Sequence, residues 1–512
     1  MQTPAATESS RTRRFLGGVE RVGNALPHPA TMFALLAAVV VVMSAVFSAA
    51  GVEVVHPTNG QTIRAVNLLS VAGLQRMVLE CGRNFVLFPP LGASLLCLLG
   101  LGVAEHSGMI RAALRLMVAA TARRWITPMT VLVGVLSNSA SEVGYVLVIP
   151  LAAALFHALG RHPLLGLAAA FAGVSGGYSA NLLIGSVDVL LAGLSESAAR
   201  IVDPAYVVRP TANYYFMTAA TVLLTIVGTW VTEKWVAPRL GGYAGEAARE
   251  PLAPLESRER RGLMAAAATV LIFAAVVGRG LLPAGGFLLN PTNPDFGASA
   301  FVMGLVTFIF LFGLLPGIAY GIVAGTLRND HDVVRGMTEA MKSLGGYIVL
   351  AFFAAQFIAY FNWTNLGVIT AIGGAEAIHR LGVQHSPTVL VVALVLCAAA
   401  VNLVIASASA KWALMAPVFV PMFMLLGVSP ELAQAAYGVG DSVTNIITPM
   451  MPYFPLVLTF AQRYEPKAGI GTLAAIMLPY SAMFLLTWTL LLVVWVWLGL
   501  PVGPGAGLFL AR

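Results

Sequence analysis

Seven apolar runs, near 30–51, 85–104, 213–233, 262–283, 299–326, 344–361 and 472–498, constrain this chain more than any other feature. Each is close to the roughly 20 apolar residues a helix needs to cross a bilayer. In lipid every backbone polar group must be paired internally, and runs of this length are met by helices. The expected fold class is therefore an all-α integral membrane protein. Composition agrees. Only 10% of the residues are charged, against about 25% in a soluble domain. That excludes a soluble enzyme, a nucleic-acid binder, a disordered chain and a secreted disulfide scaffold. The 51 glycines suit helices packed closely in a membrane. Cys81, Cys97 and Cys397 are too few and too scattered for a disulfide framework or a zinc site, and read as packing residues. The N-terminus is polar and Arg-rich up to Arg21, and no small-residue cleavage site follows the first run, so no cleaved signal peptide is expected.

The net charge of +7 reads as topology, because Lys and Arg collect in cytoplasmic loops. Arg11, Arg13, Arg14 and Arg21 place the N-terminal segment, 1–29, in the cytoplasm. Arg111, Arg115, Arg123 and Arg124 follow the second run and lie inside. So does the linker around 241–261, with Lys234 and Arg239 before it and Arg249, Arg258, Arg260 and Arg261 within it. The 284–298 loop has no basic residue and reads as external, and 362–386 carries only Arg380. Arg328, Arg335 and Lys342 are inside, as are Arg463 and Lys467, which leaves the C-terminus on the periplasmic side.

Two further apolar regions, 126–200 and 386–460, are broken by Gly, Pro, Ser and Asn clusters, and they resemble each other. Ser139-Ala140-Ser141 precedes Pro150 as Ser407-Ala408-Ser409 precedes Pro417, an offset of 268 residues (139 to 407). Ser175–Asn181 lines up with Val439–Asn445 at an offset of 264 (175 to 439). The first region is entered from the cytoplasm and the second from outside, so the copies are inverted. Inverted repeats with interrupted helices are the build of secondary transporters, with the binding site near the midplane. The expected division is a first repeat over 30–240, with a re-entrant hairpin near 126–160, and a second over 262–512, with a hairpin near 388–426.

Non-helical backbone at membrane depth persists only where protein, water, an ion or a substrate supplies partners. Ser-Asn-Ser-Ala-Ser at 137–141 and Ala-Ser-Ala-Ser-Ala at 406–410 fit hairpin tips. Ser139, Ser141, Ser179, Asn181 and Asn445 are candidate substrate contacts, against plain small-residue packing or an Asn that pins a broken helix. Asp441 is the leading polar residue: an intramembrane acid with no basic side chain near it in sequence. With Asn402 and backbone carbonyls it can form an all-oxygen cation site, carry a proton, or face a polar cavity beside Ser442 or Thr444. Glu142 and Lys411 follow the two Ser-Ala-Ser motifs and either pair or face water. Asp188 reads equally as a helix-end residue. Trp412 stacks on an aromatic ligand or anchors at the interface.

The runs Gly173–Gly193 (GVSGGYSANLLIGSVDVLLAG), Pro210–Phe216 (PTANYYF), Ala408–Leu426 (ASAKWALMAPVFVPMFMLL) and Tyr437–Gln462 (YGVGDSVTNIITPMMPYFPLVLTFAQ), with Gly23–Pro29 (GNALPHP), closely resemble the AbgT family of bacterial transporters. The resemblance implies an inner-membrane secondary transporter for p-aminobenzoyl-glutamate, a folate breakdown product, with some members exporting in sulfonamide resistance. It implies a homodimer with nine membrane-spanning helices and two opposed re-entrant hairpins per subunit. Carried over by motif, Asn402 and Asp441 match a sodium site, and Ser409, Trp412 and Pro430 match residues lining the substrate path. Two positions depart from the family pattern. Gly438 stands where Arg is usual, three residues before the Asp, which removes a natural carboxylate partner. Ser141-Glu142 stands where an Asp is more usual. Helix N-termini at the hairpins remain as a source of positive potential for the substrate.

The expected function is thus ion-coupled alternating access, with sodium or a proton as coupling ion and a small anionic substrate. No organic cofactor, nucleic-acid partner or catalytic residue is expected, and lipid surrounds the protein. A dicarboxylate or citrate carrier of similar hairpin build is the nearest alternative, and a channel is a more distant one.

Overall fold

The structure, a computed structural model, describes residues 29–55, 62–119, 123–140, 144–243, 255–282, 286–290, 299–380, 382, 386–405, 407–449, 451 and 453–510. Ser141, Glu142 and nearly all of the N-terminal segment lie outside the described residues. In chain order the helices are α1 (Pro29–Ala49), α2 (Val71–Val86), α3 (Pro89–His106), α4 (Met109–Ala119), α5 (Ile126–Leu136), α6 (Ile149–Ala158), α7 (Pro163–Phe171), α8 (Ser186–Ala199) and α9 (Tyr214–Val231). They continue as α10 (Ser257–Gly280), α11 (Leu305–Ala324), α12 (Asp330–Ser343), α13 (Gly345–Trp363), α14 (Leu366–Arg380), α15 (Pro387–Asn402), α16 (Ala408–Leu425), α17 (Pro430–Asn445), α18 (Phe454–Gln462) and α19 (Ile470–Trp497). A short hairpin, Glu53–Val55 with Thr62–Arg64, follows α1. The fold is all-α, and among the described residues seven helices are long and apolar enough to span a membrane.

The long helices turn apolar side chains outward, as only lipid allows. Leu35, Val39, Val42 and Val46 are exposed on α1, Leu271, Ile272 and Val276 on α10, and Leu486, Leu490 and Trp497 on α19. The polar, broken helices occupy the middle instead. Every residue of α7 and of α17 is buried. A helix carrying Glu431, Gln434, Asp441, Ser442, Thr444 and Asn445 cannot face hydrocarbon, and α15, α16 and α19 enclose it.

The two broken regions share one order of elements. In the first, α5 runs to a tight turn at Ser137–Ala140, α6 returns, and α7 continues into a π-helical turn at Ala172–Gly176 before the chain breaks and resumes as α8. In the second, α15 ends at Asn402, α16 returns from Ala408, and α17 breaks before α18. Packing follows the same plan: α5 lies on α7 and α9, and α15 on α17 and α19. Each pair depends on a glycine. A Cβ on Gly173 would stand 2.3 Å from the Val131 carbonyl oxygen, and one on Gly440 2.2 Å from that of Val395. Lipid provides little hydrophobic drive between helices, so this close backbone approach is what holds them together. The half-helices also start alike. Pro163 opens α7 after His162, whose ring accepts from the Leu164 N–H, and Pro430 opens α17 after Ser429, which accepts from the Leu432 N–H.

Candidate functional site

The segments that align in sequence meet in space. The Ser179 N–H donates to Ser442 Oγ at 3.0 Å, Asn445 Nδ2 approaches the Ser175 carbonyl at 3.4 Å, and Tyr145 donates to Ser175 Oγ at 3.2 Å. Both broken helices therefore end at one place, level with the two hairpin tips.

A cavity of about 680 Å³ opens onto that place. Asn138 of the first tip, Ser407, Ala408 and Ser409 of the second, and Asn445 line its inner end. Tyr145 and Tyr453, stacked with ring centroids 4.5 Å apart and 11° between planes, also line it. Its mouth is formed by Glu105, His106, Arg111 and Glu339, from the α3–α4 and α12 side. The volume lies within the range of about 300–1,000 Å³ usual for small-molecule sites. Two helix N-termini face it: Ser186 and Val187 begin α8, and Ser407 caps α16 by accepting from the Ala410 N–H. Asp188 accepts from the Gly185 N–H at 2.8 Å in the first turn of α8, so this acid serves a helix end.

Away from the cavity, one helical turn beyond Ser409, or about 5 Å along α16, lies a buried cluster. Trp412 is fully buried, its ring stacked on Tyr437 at 4.4 Å and its N–H donating to Ser195 Oγ at 2.9 Å. Ser195 donates in turn to Gln434 at 2.7 Å, and Tyr206 donates to Glu431 at 2.9 Å. The Ser195 contacts tie α8 to α16 and α17, and Tyr206 ties the segment after α8 to the start of α17. Pro430 sits at the start of α17 in the same layer. Trp412 and Pro430 do not line the cavity in this state.

Beside the tip lies the most polar buried group. Asp441, Asn402 and Lys411 have no exposed surface. Lys411 Nζ is 2.5 Å from Asp441 Oδ1 and donates to Asn402 Oδ1. Asn402 Nδ2 faces the Asp441 carbonyl at 2.7 Å, Thr444 Oγ1 at 2.8 Å and Asn445 Oδ1 at 2.8 Å. The Tyr437 hydroxyl lies 2.6 Å from the Ala408 carbonyl and 3.1 Å from Asp441 Oδ1. Asp441 Oδ2 has no hydrogen-bond partner among the described residues. Sequence alone shows no basic neighbour for Asp441; folding supplies one from α16. Lys411 does not face water, and Glu142, the other partner expected for it, lies outside the described residues. Ser442 and Thr444 give their hydroxyls to the Gly438 and Ala399 carbonyls, not to the carboxylate. The oxygens to be expected around sodium, Asn402 Oδ1 and Asp441 Oδ1, are both taken by an ammonium, so this donor set does not fit a sodium ion as it stands.

The remaining candidates are dispersed. Asn181 accepts from the Leu182 N–H at 2.8 Å, within the break. Ser179 Oγ is buried without a partner among the described residues, against Gly438. A Cβ at Gly438 would lie 3.0 Å from Ser179 Cβ, so Ser179 fills the room that a larger residue there would need. Of Ser139 only the backbone turn is described. Tyr145 and Tyr453 carry one sequence signal, an aromatic residue just past each break.

Comparison with known proteins decides the family. The model of the AbgT putative transporter family matches residues 14–510. The chain belongs to the AbgT family. Among AbgT relatives, the p-aminobenzoyl-glutamate transport protein of Escherichia coli (strain K12) is 40% identical over 505 residues, 99% of each chain. The YdaH transporter of Alcanivorax borkumensis, whose crystal structure has an unusual topology, superposes with a TM-score of 0.87 at 44% identity, over 93% of this chain and all of that one. MtrF of Neisseria gonorrhoeae, which illuminates a class of antimetabolite efflux pumps, superposes with a TM-score of 0.91 at 47% identity, over 96% of this chain and all of that one. This AbgT chain is accordingly a multi-pass membrane transporter.

Proposed function

We propose that the protein carries p-aminobenzoyl-glutamate, or a closely related aromatic amide, across the bacterial inner membrane by ion-coupled alternating access. The carrying observation is a cavity that reaches both hairpin tips and presents aromatic faces beside a capped helix N-terminus. The Tyr145–Tyr453 pair offers the aminobenzoyl ring a stacking surface. The N-terminus of α16, with the Ser407 and Ser409 hydroxyls, offers donors and positive potential to the glutamyl carboxylates. Asn138 and Asn445 are amide partners for the central peptide bond. The cavity mouth lies on the side where the basic loops place the cytoplasm, with the C-terminus periplasmic, so this state faces inward. In the outward state the Trp412–Tyr437–Ser195 layer separates, and Trp412, Pro430, Ser179 and Asn181 come to line the path. A homodimer is part of the reading. The name of the Escherichia coli relative supports the substrate, and the efflux role of MtrF supports export.

The test is transport in proteoliposomes with labelled p-aminobenzoyl-glutamate, under sodium and proton gradients imposed separately and together. Saturable, gradient-driven accumulation with counterflow is expected. Equal displacement of the label by succinate or citrate would instead mark a dicarboxylate carrier. Flux without counterflow would mark a channel.

A further inference from the structure

We propose that Lys411 is the built-in cation of the Asn402–Asp441 site, and that this site takes no sodium ion while its ammonium is in place. The argument rests on occupancy and on charge. The side chain of Asn402 has one oxygen, and Lys411 Nζ is bound to it. The other side of that amide is committed as well, its nitrogen facing Asp441 O, Thr444 Oγ1 and Asn445 Oδ1. Turning that oxygen away from Lys411 would set it against the Asp441 backbone carbonyl, which has no proton to give. Asp441 Oδ1 is shared by Lys411 and the Tyr437 hydroxyl. Only Oδ2 remains open, and one carboxylate oxygen does not make the several-oxygen shell a hard cation needs. Among the described residues the charge also closes: one ammonium meets one carboxylate, and neither side chain has exposed surface. A sodium ion added beside them would leave a net positive charge buried without compensation.

The tether has a structural consequence. Asn402 ends α15, Lys411 is on α16 and Asp441 is on α17, so one ammonium joins both arms of the second hairpin to the broken helix after it. A dissociable ion at this position would dock the hairpin only when sodium is present. A covalently held one docks it in any salt, and a driving ion then has to act elsewhere in the molecule.

The experiment reads ion binding without substrate, so its outcome is independent of what the protein carries. Thermal unfolding of the purified full chain is followed as sodium chloride replaces choline chloride at constant ionic strength. Any sodium-dependent shift of the wild-type midpoint is expected to be the same in Asp441→Asn, because it would come from an ion acting elsewhere. Lys411→Ala frees both oxygens and should unfold at lower temperature in choline, then rise by several degrees and saturate with sodium, as binding to the native state requires. Lys411→Ala combined with Asp441→Asn should lose that rise. Saturable, sodium-specific stabilisation of the wild type that Asp441→Asn abolishes would overturn the proposal, and this arm needs no Lys411 variant. A folded Lys411→Ala protein indifferent to sodium would overturn it too.

Discussion

At the scale of single residues, two aromatic positions separate what sequence can show from what it cannot. Trp412 stands beside a hairpin tip in the sequence, yet its ring lies on Tyr437 and its N–H is spent on Ser195. Tyr145 and Tyr453 carry no mark in an apolar chain, because which aromatics share a cavity depends on how two distant breaks meet. Replacing Tyr453 by Ala should therefore weaken binding of p-aminobenzoyl-glutamate by about 0.5–1.5 kcal/mol, roughly 2- to 10-fold in Kd. Binding of N-acetyl-glutamate, which has no ring, should change little; equal losses for both ligands would remove the stacking role. Asp441 and Lys411 are each visible as a charge inside an apolar stretch, but 30 positions apart (411 to 441) their pairing is not. Breaking a buried pair from one side costs about 3–5 kcal/mol because it strands the other charge. Asp441→Asn and Lys411→Met should each lower the unfolding midpoint sharply, and the double variant by much less than the sum. Additive losses in that cycle would mean the two charges do not interact.

At the scale of helices, the breaks were legible because Gly, Pro, Ser and Asn say the same thing in any context, and the helices turn at those clusters, at Ser137–Ala140 and after Asn402. The amphipathic helix α2 was not, since its mixed face gives no long apolar run: Arg76, Glu80 and Arg83 alternate with Val and Leu. Helix-to-helix fit was equally hidden, because a glycine that admits a neighbouring backbone looks the same as one that admits nothing. Gly440→Ala would place its Cβ 2.2 Å from Val395 O and 2.8 Å from Ala398 Cβ, forcing α17 off α15. It should destabilise by about 1–3 kcal/mol and slow transport, since that contact seats Asp441. Gly278→Ala on α10 meets nothing within 4 Å and gains helix propensity worth up to about 1 kcal/mol. Its midpoint should hold or rise, and a fall as large as that of Gly440→Ala would show that close backbone packing is not what separates the two positions.

For the molecule as a whole, the inverted repeat followed from the placement of a few charges, whereas the direction the cavity faces did not. Two repeats of one plan can close on either side, and side-chain contacts choose. Here Trp412–Ser195–Gln434 and Tyr206–Glu431 seal one face, and the other stays open between Glu105, His106, Arg111 and Glu339. Arg111 and the Arg328–Lys342 segment lie on the side of the open face, so the positive-inside rule supports the proposal that this face is the cytoplasmic one. Ser409 reports on this directly, because it lines the cavity at the tip while Trp412, one turn farther on, does not. With Cys81, Cys97 and Cys397 replaced by Ala, Ser409→Cys should react with a membrane-impermeant maleimide in inside-out vesicles and much more slowly in right-side-out ones. Added p-aminobenzoyl-glutamate should protect it. Trp412→Cys should stay unreactive from the cytoplasmic side and become reactive from outside when transport is under way. Faster labelling of Ser409→Cys from the periplasmic side would invert the assigned topology, and no protection by substrate would separate the cavity from the transport path.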